Sequence, residues 1–487
     1  MAQALTAQST SFTYRLYSLQ SVAAQSYATL RRQLTSVLFS SSLVGGHAPN
    51  PGDTEMSTPW LRNTLISAGA IPKDATVVSV ECKGLDGNRG LCGVMTRVLV
   101  TYSLNSGDDR KDSHDLHLIL KKSGDGRRHR LGNIVSGQVR EAIFYSSDLA
   151  KTLMPSTLLP KVYYAHGSQW LGEYVILMED IKQRGAAQGI DSQKPIDVNF
   201  VFGNQIWGLP DSIKSLAPPA ETAMLDQMFL TAAEMHSQHW NDSRLQQQQW
   251  DWLKFASWYR GSGRTQWEWS VQAGLRGWEK GKQKAASGEL SVQYSEKFVR
   301  ILDESFKRAS WERLQKRLQD KREPFTLIHG DFHAANMILD RSTNASSAVA
   351  SSSSTSSSSI VMYDWSEVCV WEPTTDLGQT VISDVAIPLF QAHARIALRK
   401  YWERLIELGA TKASDYPFET CWKAFLRGGV EKWLWTFAIL CNYPGMPASL
   451  VQYFHDQLLA FIELADNGGE EYYDITTVCL FSPPDAS

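Results

Sequence analysis

The chain has 487 residues, 43% hydrophobic and 20% charged, with a formal net charge of −3. That length exceeds one compact core, and the near-neutral balance excludes a protein that wraps polyanions, which needs a large basic excess. No apolar run reaches the roughly 18 residues of a membrane-spanning helix, and the 6 cysteines form no Cys-x-x-Cys pair, which excludes a zinc ribbon or disulfide scaffold.

Residues 1–52 contain no Asp, Glu or Lys, but carry Arg15, Arg31 and Arg32 among many Ser, Thr, Ala and Gln. Phe12, Leu16, Leu19, Ala23, Tyr27, Leu30, Leu34 and Leu38 form one apolar helical stripe. An amphipathic, acid-free, Arg-bearing start has the composition of an organelle transit peptide; a docking helix and a tail are the alternatives. The expected location is therefore cytoplasmic or organellar, in a mitochondrion or plastid. A Gly/Pro linker ends this extension at Gly52, and a helix restarts with Thr58 as cap and Pro59 at its first position.

From Thr76 the pattern is strand, Gly-rich turn, strand: Val77, Val78 and Val80, then Gly84, Gly87, Gly90 and Gly93, then Val94 to Tyr102. Leu116 to Lys122 is a third strand, Gln138 to Leu149 a helix, and Tyr174 to Met178 another strand running into Glu179 and Asp180. Beyond that the chain is mostly helical and rich in Trp, as in Ala220 to Trp240 and Thr420 to Ala438. A β-rich part followed by a larger helical part predicts an α+β, two-lobed protein: residues 53–180 and 181–487. The serine-dominated stretch Arg341 to Ser359 lies between the short apolar segments at 337–339 and 360–363. It reads as a disordered insertion at a hairpin tip.

The chemistry concentrates in Leu327-Ile-His329-Gly330-Asp331-Phe332-His333-Ala-Ala-Asn336, of the form H-x-D-x4-N. In a kinase catalytic loop an Asp at this spacing accepts the proton of the attacking hydroxyl, and the Asn holds Mg2+. A second carboxylate for the metal stands at Asp364, directly after an apolar strand.

Together with Asp364-Trp365 and Asp376-Leu377-Gly378, the stretch His329-Gly-Asp-x-His-x-x-Asn336 resembles the aminoglycoside phosphotransferase and choline-kinase-like superfamily of small-molecule kinases. The resemblance extends over roughly residues 55–465 and includes His236-Ser-Gln-His239-Trp240. It implies a protein-kinase-like fold, ATP and Mg2+ as cofactors, and a small-molecule hydroxyl as acceptor. By the same resemblance Gly84, Gly87 and Gly90 form the nucleotide loop, a strand Lys reaches the phosphates, and Glu141 orients it. Met178, Glu179 and Ile181 form the hinge, with the Glu179 carbonyl and Ile181 amide on the adenine edge. Lys121 and Lys122 point to opposite faces of their strand, and periodicity alone does not choose between them; the family habit of an apolar run ending in Lys favours Lys121.

Single features have blander explanations. A Gly-rich hairpin is often only a loose turn, and this one is neither a Walker A loop nor a dinucleotide fingerprint. A lone Lys–Glu pair is usually a surface ion pair. His329 reads as a loop-supporting histidine, and Asp376 as a buried carboxylate bonded to the catalytic-loop backbone. What decides is their co-occurrence in order. Gly330 in place of Arg argues against a protein kinase, and so does the short stretch after Asp364. The intact Asp331, Asn336, Asp364 set argues against a nucleotide-binding pseudokinase. No nucleic-acid partner is expected. Ser366 stands where relatives carry Gln or Glu, with Glu367 one residue on, which leaves that side chain's role open. Trp422, Trp433 and Trp435, with Glu419 and Glu431 near them, suggest a pocket for a compact apolar or cationic acceptor.

Overall fold

A computed structural model describes residues 49, 56–85, 93–104, 113–153, 158–183, 197–198, 221–340, 359–443 and 445–466. The stripe at 12–38, Gly87, Gly90 and residues 341–358 of the serine tract lie outside them. The described residues form two compact units, one within 49–152 and 159–197, the other within 153–158, 198–340 and 359–466.

The first unit opens with α1 (Thr58–Ser67). Its cap is Ser57, whose hydroxyl accepts from Trp60 N at 3.5 Å, so the helix begins one residue before the expected position. Then come β1 (Thr76–Gly84), β2 (Gly93–Ser103), β3 (Ser113–Ser123), α2 (Arg127–Ser136), α3 (Arg140–Ser146), α4 (Asp148–Thr152), β4 (Val162–Ser168) and β5 (Glu173–Glu179). The strands form one antiparallel sheet in the order β1-β2-β3-β5-β4. Alternation puts Val98, Val100, Leu118, Leu120, Val175 and Leu177 on one face, where Trp60, Leu61 and Leu65 of α1 pack against them. At the start of β2, Gly93 leaves room that a side chain would fill: a Cβ there would lie 2.5 Å from the Tyr174 hydroxyl.

The short strand β6 (Asp197–Val198) precedes the helical unit. This unit contains α5 (Glu221–His236), α6 (Arg264–Ala286), α7 (Glu296–Arg308) and α8 (Trp311–Leu318). Ser295 and Ser310 cap α7 and α8 through their hydroxyls. Next are β7 (Thr326–Ile328), β8 (Met337–Asp340), β9 (Ser359–Met362) and β10 (Cys369–Trp371). The chain then continues into α9 (Thr374–Asp384), α10 (Ile387–Glu407), α11 (Phe418–Leu440) and α12 (Ala448–Asp466). The α+β reading holds: an antiparallel sheet unit, then a mainly helical unit. No helix among the described residues is long and apolar enough to cross a membrane.

Two strand pairings position the site. β7 pairs antiparallel with β10, Ile328 opposite Cys369 and Thr326 opposite Trp371. That brings α9, which follows β10 after two residues, beside the loop leaving β7. β8 pairs with β9 from Met337–Met362 to Asp340–Ser359. Ser359, read from the sequence as the end of the serine insertion, is therefore a strand residue. The insertion departs from the hairpin end opposite Asn336 and Tyr363.

Candidate functional site: a loop held by one helix face

Loop 329–336 has irregular backbone, so its polar groups need partners outside a ladder. One face of α9 supplies them. Asp376, Gln379, Thr380 and Asp384 follow at helical spacing. Asp376 accepts from His329 N at 2.8 Å and from Gly330 N at 3.0 Å. Thr380 Oγ1 donates to Phe332 O at 2.6 Å, and Asp384 accepts from Ala334 N at 2.7 Å. Asp376 is fully buried, with His236 Nε2 3.5 Å from its Oδ2. Its reading as a buried carboxylate on the loop backbone fits this geometry.

Gly330 has a local reason to be glycine. Its φ is +78°, and a Cβ there would sit 2.0 Å from the Glu367 carbonyl oxygen. An arginine at this position would have no room. His329 is fixed as a neutral tautomer: Nε2 lies 3.0 Å from the Tyr363 carbonyl, which can only accept, and Nδ1 lies 3.2 Å from the Asp331 N–H, which can only donate. Burial agrees, pushing its titration below the usual histidine range. The ring is a loop support, as read from the sequence.

Asp331 projects from this scaffold. Gln379 Nε2 donates to its Oδ1 at 3.0 Å. Asn336 Nδ2 donates to the Asp331 carbonyl at 3.0 Å and to Oδ2 at 3.1 Å. Both acceptors are oxygens, so the amide nitrogen must face them and the Asn336 carbonyl oxygen turns away. His333 Nε2 lies 3.3 Å from Oδ2. Burial opposes ionisation of Asp331. The adjacent His333 outweighs it, Lys432 adds to the effect, and the carboxyl is held below its usual range. For His333, burial works against protonation, but Asp331 and then Asp384 raise its titration above normal. Lys432 donates from α11 to the Gly330 carbonyl. The Asp331 side chain stays 35% exposed, so a hydroxyl can reach it.

Asp364 follows β9 in the left-handed region, at φ 60° and ψ 59°. Few residues other than glycine and Asn or Asp tolerate this conformation. The hairpin brings it close in the chain path to Asn336, since Tyr363 N donates to Asn336 O at 3.0 Å. Ser366 is buried, and Glu367 is engaged by Lys254.

In the first unit, Lys121 Nζ lies 2.6 Å from Glu141 Oε2, with side chains 10% and 1% exposed. This is a buried pair, not a surface one. It also separates the two lysines. Lys122 shares the face of Leu118 and Leu120, which carries the α1 core, whereas Lys121 is on the other face and meets Glu141 of α3. Gly84 closes β1. Met178 pairs with Ile119, and Glu179 with Leu118. The Glu179 carboxylate accepts from Lys161 N at 2.7 Å. Ile181 is buried and opens a single 3-10 turn, Ile181–Gln183.

Among the described residues, the aromatic and acidic side chains suggested for an acceptor pocket are engaged elsewhere. Trp422 and Trp433 are core residues, and Trp435 Nε1 donates to Ser270 O at 2.9 Å. Glu431 takes a buried two-oxygen contact from Arg317 at 2.7 and 2.6 Å, and Glu419 pairs with Arg395 at 2.7 Å. Both carboxylates are already neutralised by arginine.

Residues 203–349 match the family model described as "Phosphotransferase enzyme family", and Asp331 and Asn336 lie inside the match. The chain is similar to that family. This match agrees with the resemblance to the aminoglycoside phosphotransferase and choline-kinase-like superfamily read from the sequence. No curated protein matches the sequence. Among solved structures, an ethanolamine kinase of Plasmodium vivax aligns at 10% identity and TM-score 0.39, covering 84% of this chain and 89% of that one. A microcompartment-associated aminopropanol kinase aligns at 10% identity and TM-score 0.32, over 84% and 96% of the two chains. A choline/ethanolamine kinase family protein of Mesorhizobium loti aligns at 12% identity and TM-score 0.30, over 83% and 95%. Likeness at that level does not bear on substrate.

Sequence reading missed Gln379, Thr380, Asp384 and Lys432. The first three stand three, four and eight residues after Asp376, a helical spacing visible in the sequence. Lys432 has no such signal, because only the packing of α11 brings it to Gly330.

Proposed function

We propose that the chain is an ATP- and Mg2+-dependent phosphotransferase that phosphorylates a hydroxyl of a small molecule, with Asp331 as the base. The observation that carries this reading is the placement of Asp331: a partly exposed carboxylate whose orientation is fixed by Gln379 and Asn336. Such a group can align an acceptor hydroxyl and take up its proton as the phosphoryl group arrives.

The donor set suits magnesium, which takes one or two carboxylates and completes its shell with phosphate oxygens and water. Asn336, whose amide oxygen is turned away from Asp331, and Asp364 would hold it. No group of three or more His, Cys, Asp or Glu forms a metal cage among the described residues. When bound, the ion would neutralise charge on the phosphates. Lys121, oriented by Glu141, would bind phosphate oxygens. The Gly84 turn and the backbone of Met178, Glu179 and Ile181 would hold the rest of the nucleotide. Glu367 is excluded as a ready metal ligand while Lys254 engages it.

The test supplies γ-labelled ATP with a protein-free metabolite extract and, separately, a protein extract. Label in a metabolite is expected, reduced by about 10²–10⁴-fold in Asp331→Asn with MgATP affinity unchanged. Label confined to specific proteins would turn the reading to a protein kinase. MgATP binding with no transfer at all would turn it to a pseudokinase.

A further inference from the structure

We infer that Gln379 is a positioning residue for phosphoryl transfer, and that it makes Oδ1 of Asp331 the atom that receives the acceptor's proton. The inference rests on Asp331 being the base.

Lone-pair accounting supports it. An ionised carboxylate oxygen has about two acceptor sites. Oδ2 of Asp331 is filled by Asn336 Nδ2 at 3.1 Å and His333 Nε2 at 3.3 Å. Among the described residues, Oδ1 receives only Gln379 Nε2, at 3.0 Å. One site on Oδ1 stays open for a hydroxyl, and the Gln379 bond fixes where it points. In the transfer step the acceptor O–H bond breaks and its proton passes to Oδ1. The oxygen's electron pair forms the new P–O bond, and the bond from the γ-phosphorus to the bridging oxygen of ATP breaks, releasing ADP.

A second observation separates this role from packing. Gln379 is 4% exposed, and its Oε1 is buried without a hydrogen-bond partner in the described residues. The amide cannot turn over to satisfy that oxygen without aiming it at the Asp331 carboxylate. A buried, half-satisfied amide lowers stability relative to an apolar residue of similar size. A helix chosen only for packing would gain from Met here. The neighbours on this face, Asp376, Thr380 and Asp384, bond the loop's backbone, whereas Gln379 alone reaches the Asp331 carboxylate.

The test is Gln379→Met in the full chain, which keeps the volume and removes the donor. The melting temperature is expected to equal or exceed that of the wild type. The kcat is expected to fall about 10- to 100-fold, the effect of one hydrogen bond to a charged group. KM for ATP and the Kd for MgATP should be unchanged. Crystal structures of both proteins give a readout independent of turnover: the Asp331 carboxylate should be single in the wild type and rotated or split in the variant. A variant with wild-type kcat, or with Asp331 in the wild-type conformer, would overturn the inference. A lower melting temperature with kcat retained would assign Gln379 to packing. If the wild type transfers phosphate to no acceptor, the functional reading fails, while the Asp331 conformer still decides what Gln379 does.

Discussion

Lys121 and Asp331 are both charged groups fixed in place, but by opposite means. Lys121 sits in a regular strand, where the ladder sets its direction and the ion pair with Glu141 helps to complete the placement. Asp331 sits in irregular backbone, where no ladder helps, and four side chains of α9 bind the loop on both sides of it. A strand position tolerates loss of its partner as a local event. A loop whose amides at His329, Gly330 and Ala334 are all met by one helix face loses those bonds together when that face is changed.

Asp376→Ala tests this contrast most severely. It leaves the buried amides of His329 and Gly330 without an acceptor, and each unmet donor costs roughly 1–3 kcal/mol. Denaturant unfolding should show a loss of about 4 kcal/mol, together with loss of turnover. A loss below about 1 kcal/mol would mean the loop finds other partners.

Lys121→Met is expected to destabilise by about 3 kcal/mol, because Glu141 is left buried without its cation. Adding Glu141→Met should restore most of that stability, since a buried pair is often replaceable by apolar side chains. MgATP affinity should stay low in both variants. Recovery of stability without recovery of binding would show the pair is kept for the nucleotide rather than the fold.

The scaffold under α9 has its own pH dependence. Arg317 pairs with Glu431, and Arg427 with Glu323, in a buried cluster. Glu372 adds a third carboxyl, accepting from Thr374 N at 2.9 Å at the start of α9. Two cations balance two carboxylates, which leaves the third without a cation of its own. Burial raises Glu372 to about 7, against the opposing pull of Arg427. A folded-state value above the unfolded one gives stability that is full below about 4.5 and is lost as pH rises through about 7. Glu372→Gln should flatten the stability profile across that window, by roughly 1–3 kcal/mol. An unchanged slope would place the proton elsewhere.

The smallest effect is expected where the chain looks most unusual. Asp340 and Ser359 are paired strand residues, so a two-residue turn can join them in place of residues 341–358. Turnover and melting temperature should change little, because the excision is at the hairpin end away from Asn336. A large loss of turnover would give the tract a role at the site.

The order of elements was legible in the sequence because each carries its own period. β-branched and aromatic residues mark β2, alternating Leu116, Leu118 and Leu120 mark β3, and Pro59 marks the first turn of α1. The H-x-D-x4-N spacing brought out Asp331 and Asn336 because a single loop must present both, and Asp364 followed from the strand before it. The errors had local causes. Ser57 and Thr58 are both able caps, and only the backbone selects between them. The acidic and aromatic residues of α11 suggested a pocket because the sequence does not show that Arg317 and Arg395 already neutralise Glu431 and Glu419.

Composition, period and motif spacing thus determined the class of the chain, its two kinds of architecture and the identity of the loop. Tertiary structure decided which of the two lysines meets Glu141, since both faces of a strand look alike until α1 covers one of them. It also decided the roles of Gln379, Asp384 and Lys432. Hydrogen bonds across 48, 50 and 102 positions depend on β10 pairing with β7 and on α11 packing near the loop. No local pattern encodes such distances, because they are set by burial of whole elements rather than by neighbours in the chain.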